Sequence, residues 1–288
     1  MASPSKLFSI LTLIRVKQWV KNAFIFATLV FANHFLILSS VEKSIYAFLF
    51  FCIASSIVYV INDMHDIEND KRHPTKSKKR PLASGALTLK DAQVILLFLI
   101  PTALISAYIL PQVALVILAY LILNLAYSKW LKHKPVLDIF SIATGFVLRV
   151  FAGAVAISVP ISNWMFITTL CLALFLSSMK RRSELLQIGS DSRKVLDQYS
   201  PELISKYAEM SASGTLVFYS LYIVSEQPQL IMSIPMVLFG IYRYWYIASI
   251  ADKGESPSDI VLEDRQLQCA IFLWLALVIG TFAGLFTL

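Results

Sequence analysis

Long apolar runs, separated by short polar segments, make up most of the chain. A helix that crosses a bilayer needs about 20 mostly apolar residues, whereas the strands of a membrane barrel alternate apolar and polar residues. The continuous runs therefore predict an all-α integral membrane protein with about nine membrane-spanning helices. The predicted spans are 22–40, 44–61, 92–110, 112–128, 136–157, 161–179, 208–225, 229–247 and 268–288.

Basic residues predict the orientation of these spans. Of the 25 lysines and arginines, all except Lys43 and Arg149 fall in the N-terminal segment or in and next to alternate loops. Cytoplasmic loops of membrane proteins are rich in Lys and Arg, so these loops are predicted to face the cytoplasm. We therefore expect a multi-pass membrane protein whose chemistry takes place at its cytoplasmic face.

Composition excludes most soluble functions. Hydrophobic residues make up 57% of the chain and charged residues only 15%, whereas soluble domains carry about 25% charged residues. The net charge of +7 follows from the cytoplasmic loops, so we predict no nucleic-acid partner. The three cysteines form neither a disulfide framework nor a zinc spacing. We expect one integral membrane domain over residues 1–288.

Four polar side chains share one helical face where the second span reaches the cytoplasm. At about 100° per residue, Asn62, Asp66 and Asp70 lie at about 0°, 40° and 80°, with Asp63 at about 100°. Three neighbouring carboxylates repel one another unless a cation joins them, and oxygen ligands in this number suit Mg²⁺. The alternative is a solvated acidic helix end that the following basic residues neutralise.

The segment 71–85 is basic and is punctuated by proline and glycine. Bases that hold phosphate oxygens, next to acids that hold Mg²⁺, are the components of a diphosphate site. The two segments together predict a metal–diphosphate site, although some of these bases serve only to set the orientation.

Further polar groups interrupt the apolar pattern near the same face. Arg15, Gln18 and Asn22 stand at helical spacing, and two amides among bases favour a binding function over an ordinary positive flank. Asp138 and Arg149 lie about 20° apart on the fifth span. An arginine in mid-span costs at least about 2.5–3.5 kcal/mol, so Arg149 is a functional candidate, with a structural ion pair as the alternative.

Two helix ends supply the other candidates. Lys180 and Glu184 are about 40° apart at the end of the sixth span, so a base and an acid face the same way. Tyr127 ends the fourth span, where a residue of the interfacial aromatic belt is the alternative interpretation.

The motif Asn62-Asp63-x-x-Asp66-x-x-x-Asp70, at a helix end in a chain of nine predicted spans, resembles the UbiA superfamily of intramembrane prenyltransferases. Most members have a second Asp-rich motif after the sixth span, where residues 180–184 of this chain read Lys-Arg-Arg-Ser-Glu. That departure is similar to the decaprenyl-phosphate phosphoribosyltransferase branch, whose usual sequence there is Lys-Arg-Tyr-Ala-Glu. Segments 15–22, 73–81, 148–153 and 264–268 also resemble this branch, so the resemblance covers nearly the whole chain.

The resemblance implies helices around a central cavity that opens to the cytoplasmic side of the bacterial inner (plasma) membrane. It implies Mg²⁺-dependent transfer of 5-phosphoribose from 5-phosphoribosyl-1-diphosphate to a polyprenyl (decaprenyl-like) phosphate. The products would be diphosphate and polyprenylphosphoryl 5-phosphoribose, for cell-envelope arabinan or related glycans. A homo-oligomer, a trimer, is expected by family analogy alone.

The same resemblance implies the functions of the candidate residues. Asn62, Asp66 and Asp70 are expected to be catalytic by holding Mg²⁺ and diphosphate, with Asp63 as a ligand or as a neighbour that orients the ligands. The donor's phosphates are expected to bind Lys76 and Arg80. Either the donor 5-phosphate or the lipid phosphate is expected to contact Lys17, Lys21, Arg149, Lys180 and Arg181. The ribose hydroxyls, or the bases, are expected to be oriented by Tyr127, Asp138 and Glu184.

Two alternative functions remain open from the sequence. A UbiA-type prenyltransferase would move an isoprenoid from its diphosphate to an aromatic acceptor, but it needs an acidic pair on the second wall, where Glu184 is the one glutamate. A transporter or lipid-binding scaffold would place polar sites near the midplane, where only Arg149 is predicted to lie.

Overall fold

The computed structural model describes residues 5–72, 76–188, 194–250 and 257–285, and over these ranges the protein is helical without any strand. The α-helices in chain order are α1 (Lys6–Leu13), α2 (Phe26–Phe31), α3 (Leu38–His65), α4 (Ile67–Arg72), α5 (Lys76–Lys79), α6 (Leu89–Ile109), α7 (Pro111–Lys129), α8 (Leu137–Ala156), α9 (Asn163–Ile188), α10 (Pro201–Glu226), α11 (Ile234–Ile250), α12 (Pro257–Glu263) and α13 (Arg265–Phe282). Short 3₁₀ helices occupy Leu131–His133, Lys194–Gln198 and Pro228–Ser233, and a longer one, called the 3₁₀ segment below, occupies Val16–Ile25.

The prediction of a helical, multi-pass membrane protein is confirmed. Within the described residues, seven helical stretches are long and apolar enough to cross a membrane. They are Leu38–His65, Leu89–Ile109, Pro111–Lys129, Leu137–Ala156, Asn163–Leu186, Pro228–Ser249 and Arg265–Phe282. Each corresponds to one of the nine predicted spans.

Two predicted spans differ from the structure. Span 22–40 is not one helix, because the 3₁₀ segment continues into α2, which ends before a turn at Asn33 with a positive φ of 56°. Asparagine tolerates this left-handed conformation better than most residues. Span 208–225 lies inside α10, whose first turns carry Glu202, Lys206 and Glu209, and α10 is not among the seven.

Hydrogen bonds between side chains bring the ends of α3, α7 and α9 together with the start of α8 at one end of the bundle. The helices run up and down, so α3, α7 and α9 end where α6, α8 and α10 begin. A tight connection at Leu110, followed by Pro111 in the first turn of α7, closes the opposite end of the α6–α7 hairpin. Proline suits that position because its missing N–H would have no partner inside the helix.

Helix α8 lies at the centre of the fold and approaches the 3₁₀ segment closely. Gly153 makes this possible, because a Cβ atom there would lie 2.0 Å from the Ile25 carbonyl oxygen and 2.5 Å from Thr28 Oγ1. The contact brings the N-terminal segment against the buried polar face of α8.

Candidate functional site

The acidic motif lies at a joint between two helices. Helix α3 ends at His65 and α4 begins at Ile67, with Asp66 between them. The Asp66 N–H still donates to the Asn62 carbonyl over 2.9 Å, and the Asp70 N–H donates to the Asp66 carbonyl over 2.8 Å. The helical spacing therefore continues through the joint and keeps the three motif residues on successive turns.

Arginines already bind two of the three carboxylates. Asp63 is 2% exposed and accepts from Arg15 Nη2 at 2.6 Å, while Arg80 Nη1 lies 3.1 Å away. Arg80 also pairs with Asp70. Among the described residues, the partly buried Asp66 has no cationic partner. We call Asn62, Asp63, Asp66, Asp70, Arg15 and Arg80 the first cluster.

The first cluster fits a metal that is shared with substrate better than a metal enclosed by protein. Over the described ranges, no three His, Cys, Asp or Glu side chains are grouped closely enough to hold an ion by themselves. Mg²⁺ commonly takes one or two carboxylates and completes its coordination with water and substrate phosphates. The Asp66 carboxylate and the Asn62 amide, whose oxygen accepts a 3.1 Å bond from Ser128, are suitable donors.

Of the two bases predicted to bind the donor's phosphates, the structure describes the side chain of Arg80 but not that of Lys76. Arg80 contacts carboxylates, as described above, and Lys76 begins α5 with a side chain outside the described part of the chain. Glu68 points away on the exposed side, where Lys71 at 2.8 Å lowers the pKa of its carboxyl group.

A second charged cluster surrounds Arg181, which is 0% exposed. Its Nε donates to Asp138 Oδ2 at 2.7 Å, its Nη2 donates to the Tyr127 hydroxyl at 2.7 Å, and its Nη1 pairs with Glu184. Lys180 Nζ lies 3.7 Å from Glu184. One buried guanidinium therefore holds together three helices, α7, α8 and α9.

Sequence reasoning missed one member of this second cluster, Tyr199. Its hydroxyl donates to Asp138 Oδ1 at 2.8 Å and accepts the Val136 N–H at 2.5 Å. Val136 has a φ of 67°, a strained value for a β-branched residue, next to the first turn of α8. Burial raises the pKa of Tyr199, and the Asp138 carboxylate adds to the rise. We call Tyr127, Asp138, Lys180, Arg181, Glu184 and Tyr199 the second cluster.

The last turn of α7 joins the two clusters. Tyr127 bonds Arg181 of the second cluster, and the adjacent Ser128 bonds Asn62 of the first. The two charged groups therefore lie on either side of one helix end, at the same end of the bundle.

The 3₁₀ segment corrects the spacing expected around Asn22. A 3₁₀ helix has about 3.0 residues per turn, so residues three apart share a face. Trp19, Asn22 and Ile25 form the packed face, with Trp19 Nε1 donating to Ser56 at 3.1 Å. The prediction that Arg15, Gln18 and Asn22 stand at α-helical spacing was wrong, because the chain here is wound more tightly than an α-helix. Lys17 lies on a separate, exposed face.

Asp138 and Arg149, both on α8 and predicted to lie near one face of the fifth span, have different partners. Asp138 is held by Arg181, whereas Arg149 is bonded through Nε to Asn22 Oδ1 at 2.7 Å and through Nη1 to the Gly145 carbonyl at 2.7 Å. The two residues lie about 16 Å apart along α8, so each is held by its own neighbours.

Lys21 lies near Arg149 and forms no ion pair with a described residue. Burial, followed by the charges of Arg149 and Arg15, lowers the pKa of Lys21 to about 8, while Asp259 of α12 opposes the shift. An amine next to other cations and without its own carboxylate is suited to an anionic ligand.

A cavity of about 540 Å³ lies at the opposite end of the bundle, between the α8–α9 connection and the end of α10. Its lining contains Glu226 and His34 but neither lysine nor arginine. Phosphate groups are therefore expected at the charged clusters rather than in this cavity.

Comparison with known proteins gives concordant results. Residues 22–276 match the UbiA prenyltransferase family. A decaprenyl-phosphate phosphoribosyltransferase of Mycobacterium tuberculosis is 33% identical over 281 residues, which cover 92% of this chain and 91% of that protein. A protein of the same name from Corynebacterium glutamicum is 32% identical, with 92% and 84% covered. A UbiA homolog from Archaeoglobus fulgidus, solved with GPP and Mg²⁺, has a TM-score of 0.73 at 18% identity over 96% of this chain and 99% of that one.

Proposed function

Because this chain belongs to the UbiA prenyltransferase family, we propose that it is a membrane transferase that moves 5-phosphoribose from 5-phosphoribosyl-1-diphosphate to a polyprenyl phosphate. The products are polyprenylphosphoryl 5-phosphoribose, a lipid-linked pentose for envelope glycans, and diphosphate. The names of the two bacterial relatives support this choice of donor and acceptor. The site faces the cytoplasm of a bacterial inner membrane, in agreement with the distribution of basic residues.

The contacts made by the two carboxylates of the second cluster are the observation on which this proposal depends. Both oxygens of Asp138 are bonded, one to Arg181 and one to Tyr199, and those of Glu184 face Arg181 and Lys180. These two carboxylates therefore offer no free acidic pair to a metal. A prenyltransferase that binds one diphosphate would use such a pair. A reaction between two phosphorylated substrates instead needs additional positive charge, because both substrates are anions.

The proposed reaction forms one bond and breaks one. An oxygen of the lipid phosphate attacks the anomeric carbon of the donor, the bond from that carbon to diphosphate breaks, and diphosphate leaves with the bonding electrons. The phosphate nucleophile is already ionised, so no side chain has to remove a proton. Stabilisation of the leaving group is therefore the main requirement of the site.

The first cluster would meet this requirement. Asn62, Asp66 and Asp70 would hold a divalent cation, Mg²⁺, with Asp63 as a further ligand or as the group that orients Arg15 and Arg80. Such an ion supplies positive charge to the departing diphosphate. Arg80, already at the carboxylates, and Lys76 would add charge for the donor phosphates.

The remaining candidates divide between the two phosphates at the mouth of the site. Lys17, Lys21 and Lys180 would attract the donor 5-phosphate or the lipid phosphate. Arg181 would keep Tyr127 in place to meet the ribose hydroxyls. Asp138 and Glu184 would orient the bases Arg181 and Lys180.

The test offers purified protein two labelled donors with their matching acceptors. Radiolabelled 5-phosphoribosyl-1-diphosphate is mixed with polyprenyl phosphate, and in parallel a radiolabelled prenyl diphosphate is mixed with an aromatic acceptor. We expect Mg²⁺-dependent label in the organic phase of the first reaction only. Label in the aromatic product alone would establish the prenyltransferase alternative, and no transfer in either reaction would favour a transporter or scaffold.

A further inference from the structure

We propose that Arg149 is a positioning residue: it fixes the 3₁₀ segment from within the membrane so that Lys21 faces the phosphorylated substrates, and it does not contact them itself. This inference rests on the proposed function for the identity of the substrates. Arg149 is then neither the phosphate ligand that the resemblance implied nor the structural ion pair that was the alternative, and the inference connects a residue deep in α8 to Lys21.

The partners of Arg149 are unusual for a buried charge. Arg149 is 5% exposed and pairs with no carboxylate among the described residues, whereas the equally buried Arg181 bonds two. Each of its three nitrogens bonds a neutral group: Nε bonds Asn22, Nη1 bonds the Gly145 carbonyl, and Nη2 lies 3.2 Å from the Tyr120 hydroxyl. These three groups belong to the 3₁₀ segment, α8 and α7, so the guanidinium bridges three elements.

Aromatic rings enclose the same guanidinium. Its central carbon lies 4.9 Å from the ring centre of Tyr120 and 5.5 Å from those of Phe51 and Phe146. Cation–π contacts of this kind stabilise a charge that has no acidic partner. A phosphate would have to displace rings or hydrogen bonds to reach Arg149, so the enclosure favours holding protein groups over binding substrate.

Asn22 is the residue of the 3₁₀ segment that Arg149 bonds. Its oxygen accepts from Arg149, and its amide nitrogen lies 3.2 Å from Cys52 Sγ and 3.3 Å from Ser55 Oγ on α3. One side chain is therefore bonded from two helices at once. Because Lys21 precedes Asn22 in the same turn, fixing Asn22 also fixes the backbone from which the Lys21 side chain extends.

The charge of Arg149 also acts on Lys21 directly. The charged groups around Lys21 are Arg15 near the start of the segment, Arg149 on α8 and Asp259 on α12, which packs against the segment. Of these, Arg149 lowers the pKa of Lys21 more than Arg15 does. Removing the charge of Arg149 should therefore raise the pKa of Lys21 above about 8, towards its ordinary value of 10.5.

The first test measures Lys21 without relying on catalysis. Lysines are reductively ¹³C-methylated in detergent-solubilised protein, the Lys21 resonance is assigned with Lys21→Arg, and its titration is followed by NMR in the wild type, Arg149→Lys and Arg149→Met. We expect the titration midpoint to rise by about one pH unit in Arg149→Met and to stay in place in Arg149→Lys, which keeps the charge. An unchanged midpoint in Arg149→Met would contradict the proposal.

The second test separates positioning from contact. Asn22→Ala should raise KM for the donor or the lipid by about tenfold with a smaller change in kcat, and Asn22→Ala combined with Arg149→Lys should be no worse than the more damaging single variant. Multiplied effects in the double variant would show that Arg149 contacts substrate independently of Asn22. Asn22→Ala alone keeps the test decisive if the arginine variants do not fold. If the wild type transfers no phosphoribose, the proposed function fails, whereas the NMR titration still tests the positioning.

Discussion

Replacing Arg181 with methionine is the most informative perturbation of the second cluster. The substitution keeps most of the side-chain volume but leaves Asp138, which is 0% exposed, as a buried carboxylate without a cation. Removing one partner of a buried ion pair costs about 3–5 kcal/mol. The Tyr199 hydroxyl still bonds Asp138, which places the expected loss towards the lower end of this range.

The assay is thermal unfolding of purified protein in one detergent, followed by tryptophan fluorescence. About 3–5 kcal/mol corresponds to a fall in Tm of about 5–8 °C for a protein of this size. Arg182→Met is the matched control, because the neighbouring arginine bonds only the Ser205 hydroxyl, at 2.9 Å, among the described residues. Its expected loss is about 1 kcal/mol.

A second substitution tests the reason for the loss. Adding Asp138→Asn to Arg181→Met removes the stranded charge, so the double variant should regain at least about 2 kcal/mol relative to Arg181→Met. The reasoning would be refuted if Arg181→Met unfolded within about 2 °C of the wild type, or if the double variant were less stable than both single variants.

Three further predictions follow from other contacts. Tyr199→Phe removes the hydroxyl that bonds Asp138, so it should cost about 1–2 kcal/mol in the same unfolding assay, and an unchanged Tm would exclude this contact. Gly153→Ala should prevent accumulation of folded protein in membranes, because its Cβ would overlap the Ile25 carbonyl at 2.0 Å, and wild-type yield on size-exclusion chromatography would contradict the close approach. The Arg243 partner lowers the pKa of Asp264, so the folded-state carboxylate contributes stability above its ordinary pKa of 3.8 and loses it as the pH falls through the lowered value. Asp264→Asn should therefore flatten the decline of Tm with acid pH, and a decline as steep as that of the wild type would count against it.

The long apolar helices and the acidic joint were accessible from the sequence because both are local patterns. A run of about 20 apolar residues predicts a span whatever surrounds it. The four-residue spacing of Asn62, Asp66 and Asp70 places them on successive turns, and the hydrogen bonds through Asp66 keep that spacing although the helix is interrupted. The 3₁₀ segment was not accessible, because a three-residue spacing fits both helix types over one or two turns, and nothing in the sequence shows that the chain is wound too tightly for residues four apart to share a face. The close approach at Gly153 is a tertiary contact that no local pattern contains.

The pairing within the second cluster depends on contacts between distant segments. Asp138 shares a face of α8 with Arg149, yet its partner is Arg181, 43 positions along the chain. Tyr199 precedes the Ser200 cap of α10 without any motif of its own, and only the packing of α10 against α9 brings it to Asp138. The identities of charged candidates could therefore be predicted, but their partners could not.

The central claim is that Asp66, at the joint between α3 and α4, helps to hold the metal and diphosphate on which transfer depends. The most direct test compares Asp66→Asn with Glu68→Gln, a nearby exposed carboxylate that is bound to Lys71. Transfer of labelled phosphoribose to polyprenyl phosphate and binding of Mn²⁺ are measured for both variants. We predict that Asp66→Asn lowers kcat/KM by at least about 100-fold, or about 2.7 kcal/mol, and weakens Mn²⁺ binding, while Glu68→Gln stays within about twofold of the wild type. Wild-type transfer and Mn²⁺ affinity in Asp66→Asn would contradict the account.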